Sequence, residues 1–189
     1  LRMTASDATK PLAGLRVLPA GTARALASRL ERKIATSNQR HRARFPEEEC
    51  RRALAHLEQV ILLEGPSTIS ALVLEPVTGS SGTIVPPAGY LRGVRDLCTR
   101  HGIAFIADEV ICGFGRTGSM FGCDTFTIHP DIMTVAKALS ASYQPISATV
   151  VSNQIFEAMQ QESRKLGVFG HGFTYAGHPV ASAVALETL

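Results

Sequence analysis

The chain has 189 residues, a formal net charge of +3, 45% hydrophobic residues and 19% charged residues. That is enough chain for one domain with a sizeable core, and the balance is that of a soluble globular protein. No uninterrupted apolar stretch is long enough to span a membrane, and no secretory leader is evident. Charge is unevenly spread: residues 1–52 carry 12 Lys or Arg against 5 Asp or Glu, and residues 53–189 carry 7 against 11. The basic arm has Phe45 as its one aromatic, so solvated surface is expected rather than a nucleic-acid contact. Cys50, Cys98, Cys112 and Cys123 form no C-x-x-C pair and no Cys/His zinc spacing. Reduced thiols, a cytoplasmic location and no metal site are the corresponding expectations.

In chain order, residues 12–18 suit a short strand, and residues 23–34 have apolar positions at helical spacing. Residues 1–45 carry no chemical motif and are set apart as an N-terminal segment without a domain assignment. Residues 46–64 form the clearest helix. Pro46 suits the first turn, Glu47, Glu48 and Glu49 sit at the positive end of the dipole, and Gly65-Pro66 stops it. Its apolar stripe runs through Cys50, Ala53, Leu54, Leu57, Val60 and Ile61. A strand at 69–74 ends on Glu75 and gives way to a loop, Pro-Val-Thr-Gly-Ser-Ser-Gly. A helix at 88–101 follows Pro86-Pro87 and is closed by Gly102.

The strand at 103–107 is short and apolar and ends on Asp108 and Glu109. A glycine-rich loop, GFGRTG at 113–118, follows. A second apolar run at 132–136 delivers Lys137. Residues 147–151 suit a further strand, and Asn153 is the expected cap of a helix to 165. Residues 167–177 are a loop rich in Gly and aromatics. A helix from His178 runs to Leu189 without a terminating signal, and the chain begins at Leu1, so a truncated product is expected. Strands alternating with helices predict an α/β fold with a mostly parallel sheet.

In such sheets chemistry collects beyond the carboxyl ends of the strands. Asp108 and Lys137 therefore arrive at one rim. A lysine can form a Schiff base with a carbonyl cofactor, and a carboxylate can keep a pyridinium nitrogen protonated. Pyridoxal phosphate needs both. The plain alternative is an acid and a lysine at two loop entrances, solvated or salt-bridged. A rival enzyme reading rests on GFGRTG, which satisfies the G-x-G-x-x-G dinucleotide fingerprint of an oxidoreductase. Against it, the first Gly comes five residues after Asp108, residues 119–124 are not expected to open a helix, and the next strand ends on Lys137 instead of an acid. A third reading is a non-catalytic fragment that keeps only an interaction surface.

Four stretches occur together: EPVTGSSGTIVPP (75–87), IADEVICGFGRTG (106–118), PDIMTVAKALS (130–140) and HGFTYAGHPVASAVALETL (171–189). In this order they resemble the class-III pyridoxal-phosphate-dependent aminotransferases, over roughly residues 42 to 189. The resemblance implies the three-layer, mostly parallel sheet of the fold-type-I (aspartate aminotransferase-like) large domain, incomplete, over residues 46–189. It implies Lys137 as the Schiff-base lysine and proton carrier, and Asp108 as partner of the pyridine nitrogen. Val110 would lie against the ring. Glu75 is implied near the site, although locally it suits a loop cap. Thr174 resembles a threonine that serves the cofactor phosphate of the neighbouring subunit, which implies a homodimer with a shared site. His171 and His178 are read as structural. Ile111, where glutamine is common after Asp-Glu-Val, and Ser80, where a gating glutamate is common, place the chain nearer the ω-amine:pyruvate branch than the ornithine branch. An amine donor and a keto acid are the expected substrates, with no nucleic acid and no membrane. The family's phosphate-binding Gly-Ser segment and ring-stacking aromatic are not found in residues 1–45. A lone copy is therefore expected to bind pyridoxal phosphate weakly and to self-associate.

Overall fold

The computed structural model describes residues 46–79 and 81–189. The expected strand at 12–18, the helix at 23–34 and Ser80 lie outside the described residues.

Helix α1, Pro46–Glu64, has the bounds that its local signals predict. Its stripe is buried at Cys50, Leu57 and Ile61, with Ala53 and Leu54 packed against the same cluster. Strand β1, Ala71–Leu74, follows after a 3-10 turn at Pro66–Thr68. Helix α2, Tyr90–His101, ends on Gly102 in the left-handed conformation (φ 67), whose N–H reaches the carbonyls of Cys98 and Thr99. That is the terminator expected of a C′ glycine. Strand β2 is Ala104–Asp108, so Asp108 is its last residue.

Strands β1 and β2 pair in parallel with Leu74 opposite Ala107. Strand β3, Ile132–Val135, pairs in parallel with β2 and sets Thr134 opposite Asp108. Strand β4, Ala148–Val151, closes the order β1-β2-β3-β4 and runs antiparallel to β3. The mostly parallel sheet is therefore present, with one antiparallel edge. Phe105 and Ala107 point to one face and join Val94, Leu97 and Cys98 of α2 and Leu57 and Ile61 of α1 in the main core. Asp131 fastens α2 to this sheet: its Oδ2 accepts from Arg95 Nη1 (2.5 Å) and from the Phe105 N–H (2.7 Å). The Arg95 guanidinium also lies over the Phe105 ring, 5.7 Å from its centroid.

A short helix, α3, spans Gly122–Phe126. This corrects the expectation that residues 119–124 open no helix. Asp124 Oδ2 accepts from the Phe121 N–H at the start of α3 (3.0 Å), and Glu109, fully buried, supplies a second acceptor group. Its Oε2 accepts from the Gly122 N–H (2.9 Å) and its Oε1 from the Cys123 N–H (2.6 Å). Five residues are too few to hold a helix in water, so the first turn forms on an acceptor supplied from elsewhere in the chain. Gly122 leaves no room for a side chain: a Cβ there would sit 2.9 Å from Pro76 Cβ, 3.0 Å from Cys112 Cβ and 3.2 Å from Glu109 Oε2.

Helix α4, Asn153–Leu166, is capped by Ser152, whose hydroxyl accepts from the Ile155 N–H at 3.5 Å. The expected cap, Asn153, is instead the first helical residue. Both types cap well, and spacing alone does not choose between adjacent ones. Helix α5, Pro179–Thr188, has His178 at its N-cap position and packs on a 3-10 turn at Lys137–Ser140. Among the described residues no helix is long and apolar enough to cross a membrane.

Glu109→Gln tests the tie between β2 and α3. An amide oxygen accepts from one N–H and turns an NH2 donor toward the other. One buried donor is left without a partner, which costs about 1–3 kcal/mol. The denaturant midpoint should fall accordingly, with the first loss of exchange protection at the amides of Gly122 and Cys123. An unchanged midpoint would show that α3 holds itself.

Candidate active site

Three neighbouring parallel strands end on chemistry. Glu75 follows Leu74, Asp108 closes β2, and Lys137 stands two residues past the end of β3. The register brings these ends to one edge of the sheet, because Leu74 faces Ala107 and Asp108 faces Thr134. The rim expected from the order of strands is the rim observed.

Asp108 is held by its own turn and by its neighbour strand. Its Oδ1 accepts from the Val110 N–H (3.1 Å) and from the Thr134 hydroxyl (3.3 Å). Both bonds fall on Oδ1, so among the described residues Oδ2 carries none. Val110 lies in the turn after β2, not on a continuing strand, and its link to Asp108 is this backbone N–H. Glu75 takes the loop-capping role that its local setting suggests: its Oε2 accepts from the Gly79 N–H at 2.8 Å. Thr78 and Ile84 close the same loop through reciprocal backbone bonds of 3.1 Å. Ile111 packs onto this loop, since a Cβ on Gly79 would meet Ile111 Cδ1 at 2.4 Å. The position where glutamine is common is thus filled by an aliphatic contact with the Glu75 loop.

Lys137 is exposed and begins the Lys137–Ser140 turn. Its φ is +48°, a left-handed conformation that costs a non-glycine residue about 1–3 kcal/mol. Among the described residues no carboxylate lies within ion-pair distance of its amine. Behind the turn, Val135, Leu139 and Ala185 form a second small core, joined by Phe114, Phe121, Met133 and Ile146.

The glycine-rich loop belongs to that second core. Its Phe114 N–H (2.6 Å) and Gly115 N–H (3.2 Å) both donate to the Met120 carbonyl. The Phe114 ring meets Phe121 edge-on at 5.5 Å. These N–H groups are consumed within the loop, and the helix beyond it starts at Gly122, four residues after Gly118. A phosphate cradle of the dinucleotide type needs such donors free at a helix start. The loop is a buttress, and the oxidoreductase reading has no support from it.

Thr174 lies in an exposed turn with the Phe173 carbonyl accepting from the Ala176 N–H, and nothing described brings it to the rim. His171 is stacked edge-on between Phe169 (6.1 Å) and Phe173 (5.1 Å), a packing role. His178 is the residue just before α5, at its N-cap position. Sequence reasoning assigned no role to three residues that build the site: Glu109, Thr134 and Ser140. Thr134 was within reach, since parallel pairing of β2 and β3 puts a hydroxyl beside Asp108. Two buried thiols, Cys112 and Cys123, lie in the same region as Glu109. Burial pushes the Cys112 thiol up, and burial with the Glu109 carboxylate beside it pushes Cys123 up further. No group of His, Cys, Asp or Glu among the described residues could hold a metal ion.

The rim fits pyridoxal phosphate in two respects. Among the described residues, Asp108 keeps one carboxylate oxygen without a partner, and the Lys137 amine at the adjoining strand end has no ion-pair partner. A family model described as aminotransferase class-III matches residues 23–189. Gamma aminobutyrate transaminase 2 of Solanum lycopersicum is 54% identical over 143 residues, covering 76% of this chain and 31% of that protein. Vanillin aminotransferase of Capsicum frutescens is 56% identical over 144 residues, with the same shares of 76% and 31%. The chain thus spans 31% of the length of these curated relatives. Among solved structures, the omega transaminase from Pseudomonas jessenii in complex with PMP superposes with a TM-score of 0.74 at 53% identity, covering 76% of this chain and 32% of that one. With a strand-end carboxylate and lysine on one rim and a family model matched across residues 23–189, the chain belongs to the class-III aminotransferases.

Proposed function

We propose that the protein carrying this chain moves an amino group from an ω-amino acid or simple amine to a keto acid such as pyruvate. The observation that carries this reading is the meeting of Asp108 and Lys137 at adjoining parallel strand ends, each left without an ionic partner among the described residues. When bound, pyridoxal phosphate supplies a protonated ring that withdraws the electron pair left as the substrate C–H bond breaks. Lys137 Nζ would hold the cofactor's aldehyde carbon, give way to the incoming amine, and then carry the proton between substrate and cofactor carbons. An arginine could not do this, because a guanidinium keeps its proton. Asp108 Oδ2 would accept the hydrogen bond of the ring nitrogen, while Thr134 and the Val110 N–H keep that carboxylate turned to its task. Val110 would lie against the ring. Glu75 shapes the rim by holding its own loop closed.

Ile111 puts an aliphatic side chain against the Glu75 loop, where a glutamine would offer a hydrogen bond. The named relatives act, by their names, on gamma-aminobutyrate and vanillin. Both facts support a terminal amine or its aldehyde counterpart over an α-amino acid with a second charged end. A homodimer with a shared site is the matching assembly. Phe173 and Tyr175, on either side of Thr174, are 75% and 82% exposed, a setting suited to cover by a second copy.

Borohydride reduction of the full-length polypeptide loaded with pyridoxal phosphate should fix the cofactor on the peptide containing Lys137. Asp108→Asn should keep this label yet lose turnover by about 100-fold or more, as removal of one partner from a desolvated charge pair does. Label on another lysine, or near-normal turnover with asparagine, would refute the assignment. In a donor panel, simple ω-amines should be consumed faster than ornithine; the reverse order would overturn the substrate reading. Mixing Lys137→Ala with Thr174→Ala subunits tests the shared site. A mixed dimer then contains one site with both residues intact, so activity should rise above that of either variant alone. No rise on mixing would mean that Thr174 serves its own subunit or none.

A further inference from the structure

Three non-glycine residues within six positions have left-handed backbones: Lys137 (φ 48), Ala141 (φ 47) and Ser142 (φ 67). Such conformations persist only where the surroundings fix them. The surroundings here are specific. Leu139 N–H donates to the Ala136 carbonyl (3.1 Å) and Ala141 N–H to the Ala138 carbonyl (3.2 Å), which shapes the turn at the lysine. Ser140 then uses both of its ends. Its carbonyl accepts from the Tyr143 N–H (2.9 Å), and its hydroxyl donates to the Gln144 carbonyl (2.5 Å). These two bonds bracket the left-handed pair Ala141-Ser142.

Ser140 is 2% exposed, so water cannot replace its hydroxyl on the Gln144 carbonyl. Leu139 beside it is anchored in the second core with Val135 and Ala185. The turn is therefore fixed at both ends: by packing next to the lysine, and by one side-chain hydrogen bond beyond it. We propose that Ser140 is a positioning residue for Lys137, its hydroxyl locking the turn that presents the lysine amine to pyridoxal phosphate. This rests on Lys137 as the cofactor lysine. No other side chain in the turn makes a hydrogen bond among the described residues.

The experiment uses the full-length polypeptide carrying this sequence, with and without pyridoxal phosphate. Borohydride trapping and peptide mapping of the unaltered protein come first. Label anywhere but Lys137 removes the premise and leaves Ser140 without a lysine to position. With Lys137 labelled, Ser140→Ala is compared by two readouts that do not use turnover. One is the affinity for pyridoxal phosphate. The other is the pH midpoint of the visible absorbance of the bound cofactor. The affinity should fall about tenfold, the factor that loss of one buried hydrogen bond carries. The pH midpoint should move by about half a unit or more, because a displaced amine changes the surroundings of the linkage that titrates.

A combined variant separates positioning from general stability. Glycine adopts left-handed backbone without strain. Ser140→Ala with Ala141→Gly and Ser142→Gly should therefore bring the pH midpoint back toward that of the unaltered protein. A merely structural serine predicts a lower melting temperature with the pH midpoint and affinity unmoved in Ser140→Ala, and that result overturns the proposal. Failure of the glycine pair to restore the midpoint overturns it as well. Should Ser140→Ala not fold, the combined variant carries the test: a folded protein with a near-normal midpoint supports the proposal, and an unfolded one counts against it.

Discussion

A carboxylate taken wholly out of water must find donors, and Glu109 finds them on α3. Its two oxygens meet the N–H groups of Gly122 and Cys123, and those two bonds fix where the chain returns after the glycine-rich loop. Gly122 then touches Pro76, which is itself buried and follows Glu75. One side chain thus ties the loop after β1, the turn after β2 and the start of α3 into a single block. Asp108 is the residue before it. A carboxylate that must meet a ring nitrogen benefits from a backbone that cannot drift, since misplacement of a reacting group by a fraction of an ångström weakens what it does.

The sequence showed most of what local forces decide. Helix α1 was legible because Pro46, three glutamates, a buried stripe and Gly65-Pro66 all act within one element. The strand ends were legible because parallel strands alternating with helices leave few places for an acid and a lysine to go. What stayed hidden depends on contacts between distant residues. Helix α3 depends, besides the local Asp124, on an acceptor 13 residues upstream of Gly122, which a window around Ser119 does not contain. Val110 belongs to a turn because β2 stops at Asp108, and a turn breaks the alternation of faces on which its placement rested. The choice of Ser152 over Asn153 as cap turned on one residue of register. Thr174 entered through family resemblance alone, and its exposed turn gives it no described partner at the rim.

The glycine-rich loop shows how one pattern can mislead. GFGRTG has the spacing of a phosphate cradle, yet its donors at Phe114 and Gly115 are spent on Met120. Its useful feature is an aromatic one. Phe114, itself left-handed at φ 63, meets Phe121, and both pack with Val135 and Leu139 on either side of Lys137. The motif therefore bears on the lysine only through the packing of Phe114 against Val135 and Leu139.

The left-handed backbone at Lys137 has a mechanical consequence. Ala136 is extended (φ −162) and would carry the strand onward. Continuation would place Lys137 on one pleat face of the sheet, where its amine would compete with packing on α5. Reversal at Lys137, two residues past the end of β3, turns the backbone into a 3-10 segment in which Leu139 takes the packed position instead. The lysine is left exposed at the rim while Val135, Leu139 and Ser140 are buried. Strain at one residue thereby separates two demands that a straight strand would set against each other: an anchored backbone and a free amine.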